Sequence, residues 1–401
     1  MLSVEEAQAR VLAEVAAGPA ESVALAEAQG RVLREEVRAS HDLPPADNSA
    51  MDGYAVRAED IAAVPVRLPV TGDIPAGHPS ATALAPGTAM RIMTGAFVPV
   101  GADTVVQVEL TDGGMGGMEE VTISRALARG ANIRHRGEDV REGAVVLRPG
   151  VRIGAPELAM LAAMHRTRVA VARRPVVAIL STGDELIDAG DAPAAGKIVN
   201  TNAWLLSALV SEAGAIPHPL GIVRDTKEAT VAALRTALES DFVITSGGVS
   251  VGAYDFVKEA LEELGAETKF WRVAMKPGKP VVLSRYEDRL IFGLPGNPVS
   301  CFVSFHLFVA PALRAVMGEE RTIPKVRMKV TAPLKSAGDR RVYVRVQVTA
   351  VDGVLVARPL ATQGSGSLSS MIDANGLAIV EEGVRVVEAG EEADVLLLGG
   401  L

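Results

Sequence analysis

The sequence is poor in the residues that mark several large classes of protein. It has one cysteine, Cys301, so no internal disulfide can form. Its first residues carry no basic stretch ahead of an apolar run, and together these features place the chain in a reducing, cytoplasmic compartment. Aromatic residues are 3% of the chain, too few for a surface on which nucleic-acid bases stack. Positive charge is also lacking. The formal net charge is −9, so a general polyanion partner such as nucleic acid is not expected, and an anionic ligand must be held by local loops. The six histidines, at 41, 78, 135, 165, 218 and 306, form no paired helical set, which speaks against a tight transition-metal centre. A hard cation held by carboxylates and phosphate stays open. The most apolar run, Pro298 to Leu313, is shorter than a bilayer needs and contains His306 and Pro311, so no membrane segment is expected.

What is present is an ordinary globular balance, 48% hydrophobic and 22% charged, over a length that predicts about two to four domains. Ser3 and Glu6 form a capping box ahead of a helix with Val4, Ala7, Val11 and Leu12 at helical spacing, ended by Gly18-Pro19. Leu25 to Arg38 reads as a second helix. Leu43 to Val56 breaks both periodicities. Short strands between glycine turns follow, at Val66–Leu68, Met90–Met93, Thr104–Glu109 and Val121–Ser124, and Gly113 to Gly117 reads as a hairpin tip. A short helix runs from Gly154 to Met164. From Pro175 strands and helices alternate: strands at Val176–Leu180, Pro219–Val223, Phe242–Thr245, Lys269–Val273 and Leu290–Leu294; helices at Asn202–Ala213, from Asp225, at Asp255–Leu264, and a long apolar one after the Pro295–Ser300 loop, to Met317. That alternation predicts a doubly wound, mostly parallel α/β sheet. After Gly318 only strands remain, which predicts a small C-terminal β-barrel. The expected fold is α/β plus β, in an elongated multi-domain chain: an N-terminal helix at 1–20, a discontinuous linker domain at 21–46 and 136–173, an inserted β domain at 47–135, the α/β domain at 174–320 and the barrel at 321–401.

Ligands in doubly wound sheets bind beyond the carboxyl ends of the strands. Four loops there are rich in chemistry: Ser181-Thr182-Gly183-Asp184-Glu185, Ser246-Gly247-Gly248-Val249-Ser250, Lys276-Pro277-Gly278-Lys279-Pro280, and Pro295-Gly296-Asn297-Pro298-Val299-Ser300. Glycines let backbone N–H groups approach an anion, helix N-termini favour negative charge, and lysines neutralise it. Asp255 suits either a helix cap or a cation seated on a phosphate. Asp225 suits either a ligand contact or the cap of the helix through Glu228. The four loops together predict a phosphorylated ligand with a divalent cation. Cys301 and His306, inside an apolar helix, read as core residues.

Six stretches go further. Asp47-Asn-Ser-Ala-Met-Asp-Gly-Tyr-Ala55, Arg91-Ile-Met-Thr-Gly-Ala96, Ser181-Thr-Gly-Asp-Glu-Leu186, Ser246-Gly-Gly-Val-Ser250, Lys276-Pro-Gly-Lys-Pro280 and Pro295-Gly-Asn-Pro-Val-Ser300 resemble the molybdopterin molybdenumtransferase family, which includes the E domain of gephyrin. The likeness runs through the whole chain in family order. It implies an elongated homodimer with a shared cleft, in which adenylylated molybdopterin and molybdate are substrates, AMP is released and Mg²⁺ assists. The resemblance assigns chemistry to Asp52, Thr94, Glu185, Asp225 and Asp255, with Glu185 and Asp255 as Mg²⁺ ligands. It assigns substrate contacts to Ser181, Thr182, Gly183, Ser246, Gly247, Gly248, Ser250, Lys276, Lys279, Pro280, Ser300, Arg345 and Ser365. Arg341 is the alternative to Arg345, and Asp139 is a further cleft residue. The adenylyltransferase that makes the adenylylated pterin and the apo-molybdoenzymes are the implied partners. Alternative functions on the same fold are that adenylyltransferase itself and a non-catalytic scaffold. The first would not need the Asp52–Thr94 insertion or the barrel, and the second would tolerate loss of the acidic set.

Overall fold

The computed structural model describes residues 1–112, 119–249, 256–319 and 323–398. The Gly113–Gly117 tip, Ser250 and Asp255 lie outside the described residues. Two compact units are present: one of residues 1–34, 149–154 and 169–401, the other of residues 35–148 and 155–168.

Ser3 Oγ accepts the Glu6 N–H and Glu6 Oε2 accepts the Ser3 N–H, and this reciprocal cap starts helix α1 (Val4–Ala13). Its buried face, Val4, Ala7 and Val11, joins the main core of the first unit. The helix expected over Leu25–Arg38 does not form. Only a single 3₁₀ turn, Leu25–Glu27, is helical. Gly30 has φ +74, and the amides of Gly30, Leu33 and Arg34 donate to the carbonyls of Ile153, Val151 and Ala170. Long-range pairing thus takes the backbone groups that a helix would have used.

The second unit is a five-stranded sheet of β1 (Gly53–Val56), β2 (Val66–Ile74), β3 (Ala89–Ile92), β4 (Thr104–Gln107) and β5 (Glu120–Ile123), in the order β4-β1-β3-β2-β5. Only β2 and β3 run parallel. Strand β1 is buried on both faces. Tyr54 and Val56 face one apolar cluster and Ala55 the other, as the period of two requires. Val37–Arg38 pairs with Val145–Leu147 in this unit.

The first unit carries a six-stranded sheet of β6 (Val176–Thr182), β7 (Ile216–Val223), β8 (Phe242–Ser246), β9 (Glu267–Arg272), β10 (Pro280–Tyr286) and β11 (Arg289–Leu294), in the order β7-β6-β8-β11-β10-β9. Strands β7, β6, β8 and β11 are mutually parallel, whereas β10 is antiparallel to both neighbours. Register places Ser181 opposite Ser246 and Ser246 opposite Leu294, so three of the four chemical loops leave the sheet from one row. Helices α2 (Thr201–Glu212), α3 (Lys227–Ala237), α4 (Val257–Glu263) and α5 (Pro298–Met317) cover the sheet. Val177, Ile179, Phe242 and Ile244 pack with α1, α2 and α5; Ala178, Leu180 and Val243 pack with α3 and α4. Helices on both faces make the sheet doubly wound.

Helix α5 has 20 residues and is long and apolar enough to cross a membrane by length and composition, which corrects the shorter run read from sequence. It is mostly buried in the core: Cys301, Val303, Phe305, Phe308, Val309 and Leu313 are all 0–1% exposed. Each large apolar side chain so buried contributes roughly 1.5–3 kcal/mol before entropy.

The chain ends in β12 (Lys325–Val330), β13 (Arg341–Val351), β14 (Val354–Pro359), β15 (Gly376–Val380) and β16 (Glu392–Leu397). They run β13-β14-β12-β16-β15, and β15 pairs back onto β13, which closes the sheet into a barrel. Met275–Lys276 adds in parallel to Arg341–Val342, and the Val299 amide donates to the Ser365 carbonyl. These two ties hold barrel and α/β layer together around one cavity.

Candidate active site

The cavity between the α/β layer and the barrel measures about 770 Å³, within the usual range for small-molecule sites. Lys276, Lys279, Pro280, Ser300, Arg340 and Ser365 line it. Ser300 lies in the first turn of α5, where Pro298 starts the helix and the Asn297 side chain makes no cap bond. Lys276 and Lys279 are exposed, and neither is paired with a carboxylate among the described residues. Two lysines, an arginine and a helix N-terminus facing one space are a receptor for an oxyanion.

The neighbouring strand edge is built from hydroxyls and glycines. Ser181 Oγ, Thr182 Oγ1 and Thr245 Oγ1 are buried and have no partner among the described residues. Gly247 and Gly248 follow Ser246 with φ of +93 and +66. A Cβ on Gly248 would stand 2.6 Å from Val257 Cγ2 and 2.9 Å from Thr182 Oγ1, so only glycine fits. Gly183 is buried, and the Glu185 carboxylate folds back across it. Asp225 follows β7; its Oδ2 accepts the Asp184 amide at 3.2 Å, and Asp184 Oδ1 accepts the Asp225 amide at 3.3 Å. The cap of α3 is Thr226, whose Oγ1 accepts the Ala229 amide at 3.2 Å. The capping role weighed for Asp225 therefore belongs to its neighbour. Lys197 Nζ donates to the Asp184 carbonyl at 2.5 Å. Among the described residues no group of three or more His, Cys, Asp or Glu side chains is placed to hold a metal ion.

In the second unit, Asp52 Oδ1 accepts both the backbone amide of Thr94 (2.7 Å) and its hydroxyl (2.8 Å). The amide bond first, then the hydroxyl, hold this exposed carboxyl below the ordinary carboxylate range. Gly53 next to it is obligatory, because a Cβ there would fall 1.9 Å from the Val106 carbonyl oxygen. Arg91, of the same motif as Thr94, grips Asp73 through both Nε (2.8 Å) and Nη2 (2.7 Å) and so braces β2 against β3. Asp139 is fixed through its amide, which donates to the Leu43 carbonyl.

The chain matches three family models along its length: "MoeA N-terminal region (domain I and II)" over residues 2–164, "Probable molybdopterin binding domain" over 178–315, and "MoeA C-terminal region (domain IV)" over 327–398. It is 39% identical over 404 residues to the molybdopterin molybdenumtransferase of Bacillus subtilis (strain 168), covering 99% of this chain and 94% of that one. It is 41% identical over 408 residues to molybdopterin molybdenumtransferase 2 of Mycobacterium tuberculosis, covering 98% and 99%. The chain belongs to the molybdopterin molybdenumtransferase family. The crystal structure of the molybdopterin biosynthesis moeA protein of Pyrococcus horikoshii OT3 superposes with a TM-score of 0.85 at 31% identity, covering 99% of this chain and 100% of that one.

Within this molybdenumtransferase fold, Arg341 and Arg345 of β13 and Arg340 just before it have three different sets of partners. Arg345 is 1% exposed and does not line the cavity. Its Nη2 donates to the carbonyls of Thr362 (3.1 Å) and Gly364 (3.2 Å), so it holds the loop that carries Ser365. Burial without a carboxylate partner pushes its pKa down. Arg341 is bound to Glu5, Glu381 and Glu382. The arginine that reaches the cavity is Arg340, which pairs with Asp339 at 3.0 Å. Lys335 lines the same cavity, and neither residue was singled out from sequence. The doublet Arg340-Arg341 was the available signal: Arg341 is the first residue of β13 and Arg340 lies in the segment just before it.

Cys301 is wholly buried, and burial pushes its thiol up to about 12, so it is no nucleophile at neutral pH. His306 packs edge-on to Phe302 at 4.6 Å, and burial together with Arg314 pulls its pKa down to about 4.

Proposed function

We propose that this chain inserts molybdenum from molybdate into adenylylated molybdopterin, releasing AMP. As a member of its family it is a transferase of molybdenum cofactor biosynthesis. The observation that carries the finer reading is the cavity itself: Lys276, Lys279 and Arg340 converge with the Ser300 helix terminus on a space sized for a small ligand. Such a site suits a tetrahedral dianion. Beside it, the hydroxyls of Ser181 and Thr182 and the amide of Gly248 suit the pyrophosphate, the Gly247 amide being taken by the Leu294 carbonyl. In the proposed reaction a water oxygen bonds to phosphorus as the pyrophosphate P–O bond breaks and AMP leaves, and the two dithiolene sulfurs bond to molybdenum as one Mo–O bond breaks, the displaced oxygen departing as water with the two thiol protons. The protein supplies position and charge neutralisation, which are the main demands of phosphoryl chemistry.

Mg²⁺ belongs to the proposal. Glu185 would hold it with Asp255, and the rest of its shell would come from phosphate oxygens and water, as is usual for this ion. When bound, it would neutralise charge on the leaving phosphate. The division into four domains, a cytoplasmic location and a homodimer with Asp52 and Thr94 serving the partner subunit's cleft are part of the same reading. Exposed Trp204 (71%) and Ile198 (57%) support a surface covered by a second copy.

The test is to incubate the protein with adenylylated molybdopterin, molybdate and Mg²⁺ and to follow AMP. Release that depends on molybdate is expected. Release at the same rate without molybdate, or none at all, refutes the proposal. Glu185→Gln is expected to stop the reaction while the protein stays folded.

A further inference from the structure

We propose that Asn202 is a positioning residue of the strand edge: its amide locks the loops after β8 and β11 together and leaves the Ser246 hydroxyl proton to the bound phosphate. Asn202 is the second residue of α2 and is 6% exposed. Its Nδ2 donates to Ser246 Oγ and to the Gly296 carbonyl, both at 2.7 Å. The carbonyl can only accept, so the orientation of the amide is fixed by chemistry. Both amide hydrogens are thereby used to join the Ser246 loop to the Pro295–Asn297 loop. Asn202 Oδ1 is buried with no partner among the described residues, so the side chain is held by those two donated bonds.

The consequence falls on Ser246. A hydroxyl has one proton and two acceptor sites. One acceptor site takes the Asn202 amide, and the other faces the Cys301 thiol at 3.9 Å. That thiol is wholly buried and stays protonated, so it faces the oxygen as a donor. The Ser246 proton has no acceptor among the described residues. Ser246 closes β8, in register with Ser181 and Leu294, and precedes Gly247 and Gly248. Its hydroxyl is therefore set as a donor at the edge where the Gly248 amide also lies; the Gly247 amide is taken by the Leu294 carbonyl. Helix α2 does not need Asn202 for its own start, because Asn200 already caps it by accepting the Ala203 amide. The residue acts across two loops, not along its helix.

The inference rests on the reading that this edge holds the pyrophosphate of the substrate. Its experiment is calorimetric titration with inorganic pyrophosphate, alongside steady-state AMP release, for the wild type, Asn202→Asp, Ser246→Ala and the double variant. Asn202→Asp has the same shape, but it replaces the donor by an acceptor that competes for the Ser246 proton. Loss of one hydrogen bond to a charged ligand is worth about tenfold or more. Each single variant is expected to weaken pyrophosphate binding by at least tenfold and to raise KM; Asn202→Asp is expected to keep kcat within about threefold while its melting temperature falls, because it sets a buried carboxylate against the Gly296 carbonyl. The double variant is expected to bind no more weakly than the worse single variant. If Asn202→Asp does not fold, Asn202→Ser replaces it with the same thresholds. Wild-type binding in the Asn202 variant, additive losses in the double variant, or a wild type that does not bind pyrophosphate overturns the inference. A wild type that binds pyrophosphate but releases no AMP overturns the proposed reaction instead, and the titration then decides the role of Asn202 alone.

Discussion

Arg345→Met separates two roles for a buried arginine. In the structure its guanidinium donates to the carbonyls of Thr362 and Gly364, and among the described residues no carboxylate neutralises it. Each hydrogen bond from a charged group is worth about 1.5–3 kcal/mol, so the two together stabilise the loop by roughly 3–6 kcal/mol in gross terms. Against this stands the penalty for burying an unpaired cation, several kcal/mol. Methionine fills similar space without charge, so the net loss of global stability is expected to be at most about 2 kcal/mol. The loop itself responds more. Gln363 still exchanges two bonds with the Arg345 backbone, at 3.1 and 2.9 Å, and the Leu360 amide still donates to the Arg345 carbonyl. Losing both guanidinium bonds, set against the burial penalty that is relieved with the charge, lowers the cost of local opening by about 1.5–3 kcal/mol, which is roughly ten- to a hundredfold faster amide exchange over residues 361–367. The assay is hydrogen exchange read by mass spectrometry on ligand-free protein, with a parallel molybdate titration. Unchanged exchange together with lost molybdate affinity would refute the loop-holding role and restore Arg345 as a direct oxyanion contact.

Three further outcomes follow from the same geometry. Arg340→Gln is expected to weaken molybdate binding about ten- to a hundredfold with little change in melting, whereas Arg341→Gln breaks the links to Glu5 and Glu381 and costs stability with little effect on molybdate; calorimetry and thermal melts on both variants check this. Gly248→Ala forces a side chain onto φ +66 and against Val257, at a cost of about 1–2 kcal/mol from the backbone alone, and AMP release should fall at least tenfold while the rest of the fold persists. His306→Leu removes a group whose folded pKa of about 4 lies below its ordinary 6.5: the wild type loses stability as pH falls from about 6.5 to 4, because the unfolded chain takes up the proton first, so the variant should lose about 3 kcal/mol less over that window in denaturant titrations.

How far the sequence disclosed these features depends on the range of the interaction involved. The Ser3–Glu6 cap and the apolar runs of β6, β8 and β11 are local, and they form where their residues predict. The helix expected over Leu25–Arg38 failed because Gly30, Leu33 and Arg34 pair with strands more than a hundred residues away. Strand β10 was hidden because it opens on Pro280, inside a loop read for its lysines. Its antiparallel pairing with β11 rests on a tight turn that carries no glycine, with Glu287 at φ +52. The glycine loops were legible as anion-binding geometry, since φ above zero and close approach exclude other residues. Arg340, Arg341 and Arg345 could not be sorted, because their partners, Asp339 for the first, Glu5 and Glu381 for the second, and the Thr362 and Gly364 carbonyls for the third, are mostly far away in sequence. Asn202 left no signal either, since an asparagine early in a helix reads as capping.

The charge distribution shows why the site must be made of loops. The chain carries nine more acidic than basic side chains, yet Lys276, Lys279, Lys335 and Arg340 face one cavity. Exposed charges more than about 8 Å away are largely screened at physiological salt, so the overall negative field barely reaches a bound anion. What the anion meets is set by the first few ångströms: Lys276, Lys279 and Lys335, none paired with a carboxylate among the described residues, an arginine shared with Asp339, and the N-terminus of α5. Those cations come from the Lys276–Pro280 loop and from the segment entering β13, and the parallel pairing of Met275–Lys276 with Arg341–Val342 fixes one to the other. A barrel that did not close through β15 onto β13 would leave this pairing at a frayed edge. Closure of the barrel and the convergence of charge are thus one structural requirement, and it accounts for the C-terminal β domain contributing one wall of the cavity that Lys276, Lys279 and Ser300 line.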